Sequence, residues 1–336
     1  MLFSIIIPEY NGSQHICRCL DSIYSQEINS TQFETIIVDD CSTETCVKDI
    51  IRNYCSQHSI KNLNLIEHSE NKRQGGARNT GLDNAKGDFI IYLDCDDILM
   101  PGTLSIIGKY LNENPNIDVL QVDHNLSDGT TITRASHYEN NKTGIMSSTQ
   151  FFRINEVSWT PWSYIASRDY IQKIGLRFIE NKQFEDTDHS LKLVAYADKV
   201  AFLPVVLVSY IQTGNSTVNI GNDSIKLTSL FEQISRIGEI VRTLKNTNEE
   251  LALLIRNHYE YAYDNFIKSY LWRLSLPKIC YLIRKYPYKF ESPKLMLSLF
   301  HSSPKCMSVI FSTSSLFIKL AYKIRKILFT NKFSII

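Results

Sequence analysis

Gly87-Asp88-Phe89-Ile90-Ile91-Tyr92-Leu93-Asp94-Cys95-Asp96-Asp97 is the stretch from which the fold is read. Five large apolar residues run without interruption and stop at three carboxylates in four positions. Such a run reads as a strand buried on both faces, as in a parallel sheet. The same unit recurs on either side. Leu2 to Ile7 is a first strand, stopped by Pro8, and His15 to Ser25 is a helix with Ile16, Leu20 and Ile23 on one face. Phe33 to Val38 is a second strand, ending at Asp39-Asp40, and Cys46 to Tyr54 is again helical. Leu63 to Ile66, the helix Gly75 to Ala85, the helix Thr103 to Leu111 and a strand Val119 to Val122 complete the series. Alternation over about 120 residues predicts right-handed crossovers and an α/β fold: a Rossmann-like, mostly parallel sheet with flanking helices. Ligands of such sheets bind at the carboxyl ends of strands. Here those ends carry Tyr10-Asn11, Asp39-Asp40 and Asp94 to Asp97.

From Asp128 to Asn219 the pattern is less regular, and from Asp223 onward it is helical. The expected organisation is a domain over 1–220 and a helical, basic region over 221–336. The 336 residues are 43% hydrophobic and 21% charged, as in an ordinary globular protein. The net charge of +1 conceals an asymmetry: from Lys268 onward thirteen basic residues stand against one acid, Glu291. Leu316 to Phe329 puts Phe317, Leu320, Ile324 and Leu328 on one helical face and Lys319, Lys323 and Lys326 on the other. That suits an interfacial helix on anionic lipid. Nucleic-acid binding is not expected, because these cations are mixed with large apolar residues and form no known motif. The eight cysteines form no Cys-x-x-Cys pair and read as reduced thiols. No secretory signal is visible and no apolar run reaches the ~18 residues of a membrane span. The expected location is the cytoplasm, with the inner face of the cell membrane as the surface the tail would meet.

Three acidic sites carry chemistry. Asp94-Cys95-Asp96-Asp97 suits a hard cation such as Mg2+ or Mn2+ shared with substrate phosphates. One carboxylate of Asp39-Asp40 can accept a base N–H or a ribose hydroxyl, and Tyr10 can stack on a base. Glu185-Asp186 offers a general base for an attacking hydroxyl. Asn71 to Asn79 is a basic, glycine-containing loop opening a helix, which favours phosphate.

Together these segments resemble glycosyltransferase family 2, of the A-type glycosyltransferase fold. The resemblance runs through Ser4-Ile5-Ile6-Ile7-Pro8-x-Tyr10-Asn11, Ile37-Val38-Asp39-Asp40-x-Ser42-Thr43, Gly75-Gly76-Ala77-Arg78-Asn79 and Leu93-Asp94-Cys95-Asp96-Asp97. Trp162-Ser163-x-Ile165 and Phe184-Glu185-Asp186-Thr187 are similar to the acceptor half of bacterial members. The sequence departs from the family at Glu9, where small or apolar residues are common, and at Cys41, where glycine is usual. The resemblance implies an inverting, metal-dependent enzyme that moves a sugar from a nucleotide-sugar, with UDP the habitual nucleotide, to a glycan or lipid-linked acceptor in polysaccharide assembly. By position, Pro8, Tyr10, Asp39, Asp40, Arg78, Asp94 and Cys95 would contact the nucleotide-sugar. Asp96 would bind Mn2+ or Mg2+, with Asp94 and Asp97 supporting. Asp186 would be the base, Glu185 would position the acceptor, and Trp162 would line the acceptor site. Two rival readings are a sugar nucleotidyltransferase and a non-catalytic nucleotide-sugar-binding scaffold. The first needs a glycine-rich loop after the first strand, where Pro8-Glu9-Tyr10-Asn11-Gly12 stands; the second should lack a base or a metal ligand.

Overall fold

The structure, a computed structural model, describes residues 2–43, 47–212 and 223–259. The basic tail, including Leu316 to Phe329, lies outside the described residues. The chain divides into two compact units, Met1–Ile220 and Gly221–Ile336.

The first unit opens with β1 (Phe3–Glu9), α1 (Ile16–Tyr24), β2 (Phe33–Asp39), α2 (Val47–Gln57), β3 (Leu63–Glu67), α3 (Arg73–Asn84) and β4 (Phe89–Tyr92). β5 (Ile98–Leu99), α4 (Thr103–Glu113) and β6 (Val119–Ser127) follow, then β7 (Ile132–Arg134), β8 (Gly144–Met146), α5 (Ser148–Ile154), β9 (Tyr164–Ser167), α6 (Arg168–Lys173), α7 (Glu185–Ala195) and β10 (Val200–Ile211). In the second unit α8 spans Asp223–Lys245, and residues 249–259 are again helical.

One sheet has the order β3-β2-β1-β4-β9-β6-β10-β5, with β7 on β6 and β8 on β10. The β3-β2-β1-β4 half is parallel throughout, as the apolar runs predict. Beyond it the sheet is mixed: β9 enters antiparallel between β4 and β6, while β10 runs parallel to β6. Pro8 does not stop β1. Its missing N–H belongs on the β4 side, and pairing with β4 ends at Ile6↔Tyr92, so no ladder bond is lost.

The alternation along β1 places the layers. Ile5 and Ile7 join the core formed with Ile16, Leu20 and Ile23 of α1, Val47 and Ile51 of α2, and Leu104 and Ile107 of α4. Ile6 faces the other way, onto α3. There the small residues matter: a Cβ at Gly81 would lie 2.3 Å from Ile6 Cγ2. α3 thus sits close enough to the sheet to aim its first turn at the carboxyl ends of the strands.

At the amino ends of these strands Gly87 N donates to Ser4 Oγ (2.8 Å), and Ser4 Oγ donates to Glu34 Oε1 (2.6 Å). A Cβ at Gly87 would stand 2.5 Å from both Phe3 C and Ser4 N, which are backbone atoms that cannot yield. Gly87→Ala should therefore lower unfolding free energy by about 1–3 kcal/mol, the usual cost of overpacking, read by urea denaturation.

Candidate active site

The carboxyl ends of β1, β2 and β4 open onto a cleft of about 580 Å3. Pro8, Tyr10, Asp40, Asp94, Cys95, Asp96, Glu185 and Asp186 all line it, so most of the residues singled out in the sequence meet in one place. Helix starts contribute as well. α1, α3 and α7 begin at His15, Lys72 and Phe184, none of which caps its helix with a side chain. His15 and Phe184 line the cleft, as do Arg73 and Gln74 in the first turn of α3. The positive dipole ends of three helices at one cleft make it receptive to anions.

The loops are tied together by side chains. Asn11 Oδ1 accepts from Thr43 N (2.8 Å), and Asn11 N donates to Ser42 Oγ (3.0 Å). Glu9 turns inward, where Oε1 accepts from Gly12 N (2.6 Å). A Cβ at Gly12 would sit 2.6 Å from Glu9 Oε2 and 2.8 Å from Cys95 Sγ. Glu9 thus anchors its own loop, which gives this departure from the family pattern a structural role. Cys41, the other departure, takes a left-handed backbone with φ 62°, the conformation that glycine adopts most readily.

Arg78 is 2% exposed and does not line the cleft. Its Nη1 donates to Glu185 Oε1 (2.7 Å) and its Nη2 to Asp94 Oδ1 (2.8 Å), with the guanidinium 5.3 Å from the Phe178 ring centre. Arg78, expected near the nucleotide, is here a buried cation joining the β4 loop to the start of α7. The acidic side chains around it respond to burial. Asp186 is pushed up to about 7 by burial and then by Glu185, against the pull of Arg78. Burial also raises Glu185.

Asp96 is raised by burial and by Asp94. Among the described residues its side chain accepts a hydrogen bond only from its own backbone N–H, with His15 and Arg18 as nearby positive charges, while its carbonyl accepts from Arg18 Nη2 (2.7 Å). Among the described residues no three His, Cys, Asp or Glu side chains cluster as a complete metal site. Asp94 and Asp96 facing the cleft fit a hard cation that takes its other oxygens from substrate.

Three further residues singled out in the sequence lie off this cleft. Asp97 is fully buried and points at β10, where Oδ1 accepts from Ile211 N (2.8 Å); it does not line the cleft. Asp39 also lies off the cleft and braces its own loop by accepting from Ser42 N, three residues on (2.8 Å). Trp162 is 5% exposed and sits in the core, edge-on to His124 (4.6 Å) and stacked on Tyr210 (5.7 Å). It holds β6 and β10 together and lines no wall of this cleft. Lys182 and Gln183 were missed in the sequence. They line the cleft between Asn181 and Phe184, both in left-handed backbone at φ 59°. No periodicity marks them, and their proximity to Glu185-Asp186 was the one available signal.

A partly parallel sheet with carboxylates at its strand ends and an anion-receptive cleft defines an A-type glycosyltransferase fold. The sequence model of "Glycosyl transferase family 2" matches residues 4–175, and the chain belongs to that family. It is 34% identical over 122 residues to the poly(ribitol-phosphate) beta-N-acetylglucosaminyltransferase TarS of Staphylococcus aureus, a match covering 36% of this chain and 21% of TarS. The chain thus spans about a fifth of that relative. It is 23% identical over 316 residues to the uncharacterized glycosyltransferase YibD of Escherichia coli, covering 89% of this chain and 84% of YibD. The crystal structure of S. aureus TarS 1–349 in complex with UDP-GlcNAc superposes with a TM-score of 0.66 at 20% identity, covering 85% of this chain and 82% of that one. At that identity the likeness is one of fold. No described helix is long and apolar enough to cross a membrane.

The Asp186 shift has a consequence for stability. A carboxyl raised in the folded state contributes stability that is full below the usual aspartate value and is lost as pH rises through about 7. The urea midpoint of the native protein should therefore fall from roughly pH 4 to about pH 7 and level above that. Asp186→Asn should flatten the fall and be the more stable protein at the upper end.

Proposed function

We propose that this chain is an inverting glycosyltransferase. It moves a sugar from a nucleotide-sugar, with UDP as the nucleotide, to a hydroxyl of a glycan or lipid-linked acceptor. The observation that carries the reading is Asp186: a carboxylate held near neutral pKa at the wall of the cleft that Asp94, Asp96 and the start of α3 also line. A general base works best with a pKa near the operating pH. The TarS name and its UDP-GlcNAc complex support the UDP-sugar donor and a polyol-phosphate or glycan polymer as acceptor.

In this mechanism Tyr10 stacks on the base and Asp40 accepts its N–H. Arg73, Lys182 and the first turn of α3 face the diphosphate. Asp96, with Asp94, would hold Mn2+ or Mg2+, which when bound neutralises charge on the diphosphate. Asp186 removes the proton from the acceptor hydroxyl as its oxygen bonds to the anomeric carbon. The bond from that carbon to the diphosphate breaks, and its electron pair leaves with the nucleoside diphosphate. One displacement inverts the configuration. Arg78 holds Glu185 so that it does not compete for the proton, and its charge keeps Asp186 from rising further. Cys95 and Pro8 shape the floor beneath the nucleotide. Assembly of a bacterial surface polysaccharide at the inner membrane face, with the basic tail on anionic lipid, completes the proposal.

Nucleotide release from UDP-, GDP- and dTDP-sugars, with Mn2+, Mg2+ or EDTA, tests it. Metal-dependent turnover of a UDP-sugar, abolished in Asp96→Ala, is the expected result. Asp186→Asn should keep donor affinity and lose about 10²-fold or more in turnover, the usual general-base share. Full activity in Asp186→Asn would remove that residue from the role.

A further inference from the structure

Asp40 is where three pieces of the cleft are pinned. Its N–H donates to Glu9 O (2.8 Å) and its carbonyl accepts from Asn71 Nδ2 (3.0 Å). Its Oδ1 accepts from Lys72 N (2.8 Å) and lies 2.8 Å from His68 Nδ1. On the other side of the ring, His68 Nε2 lies 2.8 Å from Thr80 Oγ1 on α3. The His68 and Asp40 side chains are 7% and 3% exposed, and His68 is not among the residues lining the cleft. A carboxylate oxygen only accepts, so Nδ1 carries the hydrogen that binds Asp40, and in the neutral ring Nε2 accepts from the Thr80 hydroxyl. Both hydrogen bonds to the carboxylate fall on Oδ1. Oδ2 is the oxygen left to meet a ligand.

We infer that His68, braced by Thr80, is a positioning residue for nucleobase recognition that restricts Asp40 to a single free oxygen. The inference rests on the reading of Asp40 as the base acceptor and adds how that acceptor is oriented and what it selects. Uracil and thymine present one ring N–H between two carbonyls, which one oxygen satisfies. Guanine presents a ring N–H beside an amino group, a pair of donors that matches both oxygens of a freely rotating carboxylate. With Oδ1 occupied, the guanine amino group meets no acceptor on Asp40, and an unmatched donor lowers affinity. The His68–Thr80 brace therefore favours pyrimidine over guanine nucleotides. It also ties the base loop to α3, whose first turn faces the cleft.

The test is equilibrium binding of UDP and GDP, each with Mn2+, to the full chain and its variants, beside turnover at saturating donor. His68→Leu removes the donor to Oδ1 at similar volume. His68→Asn keeps an N–H near the Nδ1 position, and Thr80→Val loosens the ring. His68→Leu should weaken UDP by about tenfold, the scale of one hydrogen bond to a charged group, and narrow the UDP:GDP preference with kcat unchanged. His68→Asn should stay within about threefold of the native protein, and Thr80→Val should fall between the two. In an Asp40→Asn background, His68→Leu should add no further loss. An unchanged UDP:GDP ratio in both His68→Leu and Thr80→Val, or an equal loss with Asp40 already replaced, would overturn the brace while leaving the base site intact. Unchanged UDP binding in Asp40→Asn would overturn the base-site reading itself.

Discussion

The cleft depends on one buried guanidinium. Arg78 donates to Asp94 on the β4 loop and to Glu185 at the start of α7, two carboxylates that would otherwise repel across the cleft wall. Removing a cation from such an arrangement leaves uncompensated buried charge, typically costing about 3–5 kcal/mol. Its placement follows from α3. Gly81 lets that helix lie against Ile6 of β1, Gly75 lets it approach the chain at Ile179, and Asn79 clasps Phe178 in both directions at 2.9 Å. A larger residue at Gly75 would meet Ile179 O at 2.5 Å. Close packing of a small-residue helix is thus what delivers the cation, and the cation is what allows Asp94, Glu185 and Asp186 to share one wall.

The proton chemistry comes from the same balance. Burial and Glu185 push Asp186 up, and Arg78 restrains the rise, leaving it near neutrality. A carboxylate alone at a surface helix start would stay near its usual value and be a weak base. Placing two acids beside one cation costs stability and makes one of them useful. Left-handed backbone at Asn181 and Phe184, immediately before this pair, is a second local cost at the same site.

The parallel half of the sheet and the acidic strand ends were legible because unbroken apolar runs and abrupt polar stops are local signals. Phe89 to Leu93 and Phe33 to Val38 needed no long-range knowledge. What was illegible concerns direction. Asp94, Asp96 and Asp97 look alike in sequence, yet the first two face the cleft while Asp97 turns to the Ile211 N–H. Arg78 sits in a basic, phosphate-favouring loop pattern, but its helix face turns it beneath the site. Trp162 belongs to a segment with a family-like spacing, and its ring packs on Tyr210 in the core. β9 also escaped, because a four-residue strand entering antiparallel is specified by its neighbours β4 and β6 rather than by its own composition. The His68–Thr80 pair was equally hidden, since twelve positions of sequence separate two side chains that meet at 2.8 Å.

The most direct test of the account is the pH dependence of kcat/KM for sugar transfer from a UDP-sugar, measured in the native protein and in Asp186→Asn. The account predicts a rate that rises with pH through an apparent pKa of about 7 and then levels, with that limb lost in the variant. A native profile with no inflection across the neutral range would contradict it, because the carboxyl placed at the cleft wall would then not be the group that accepts the proton.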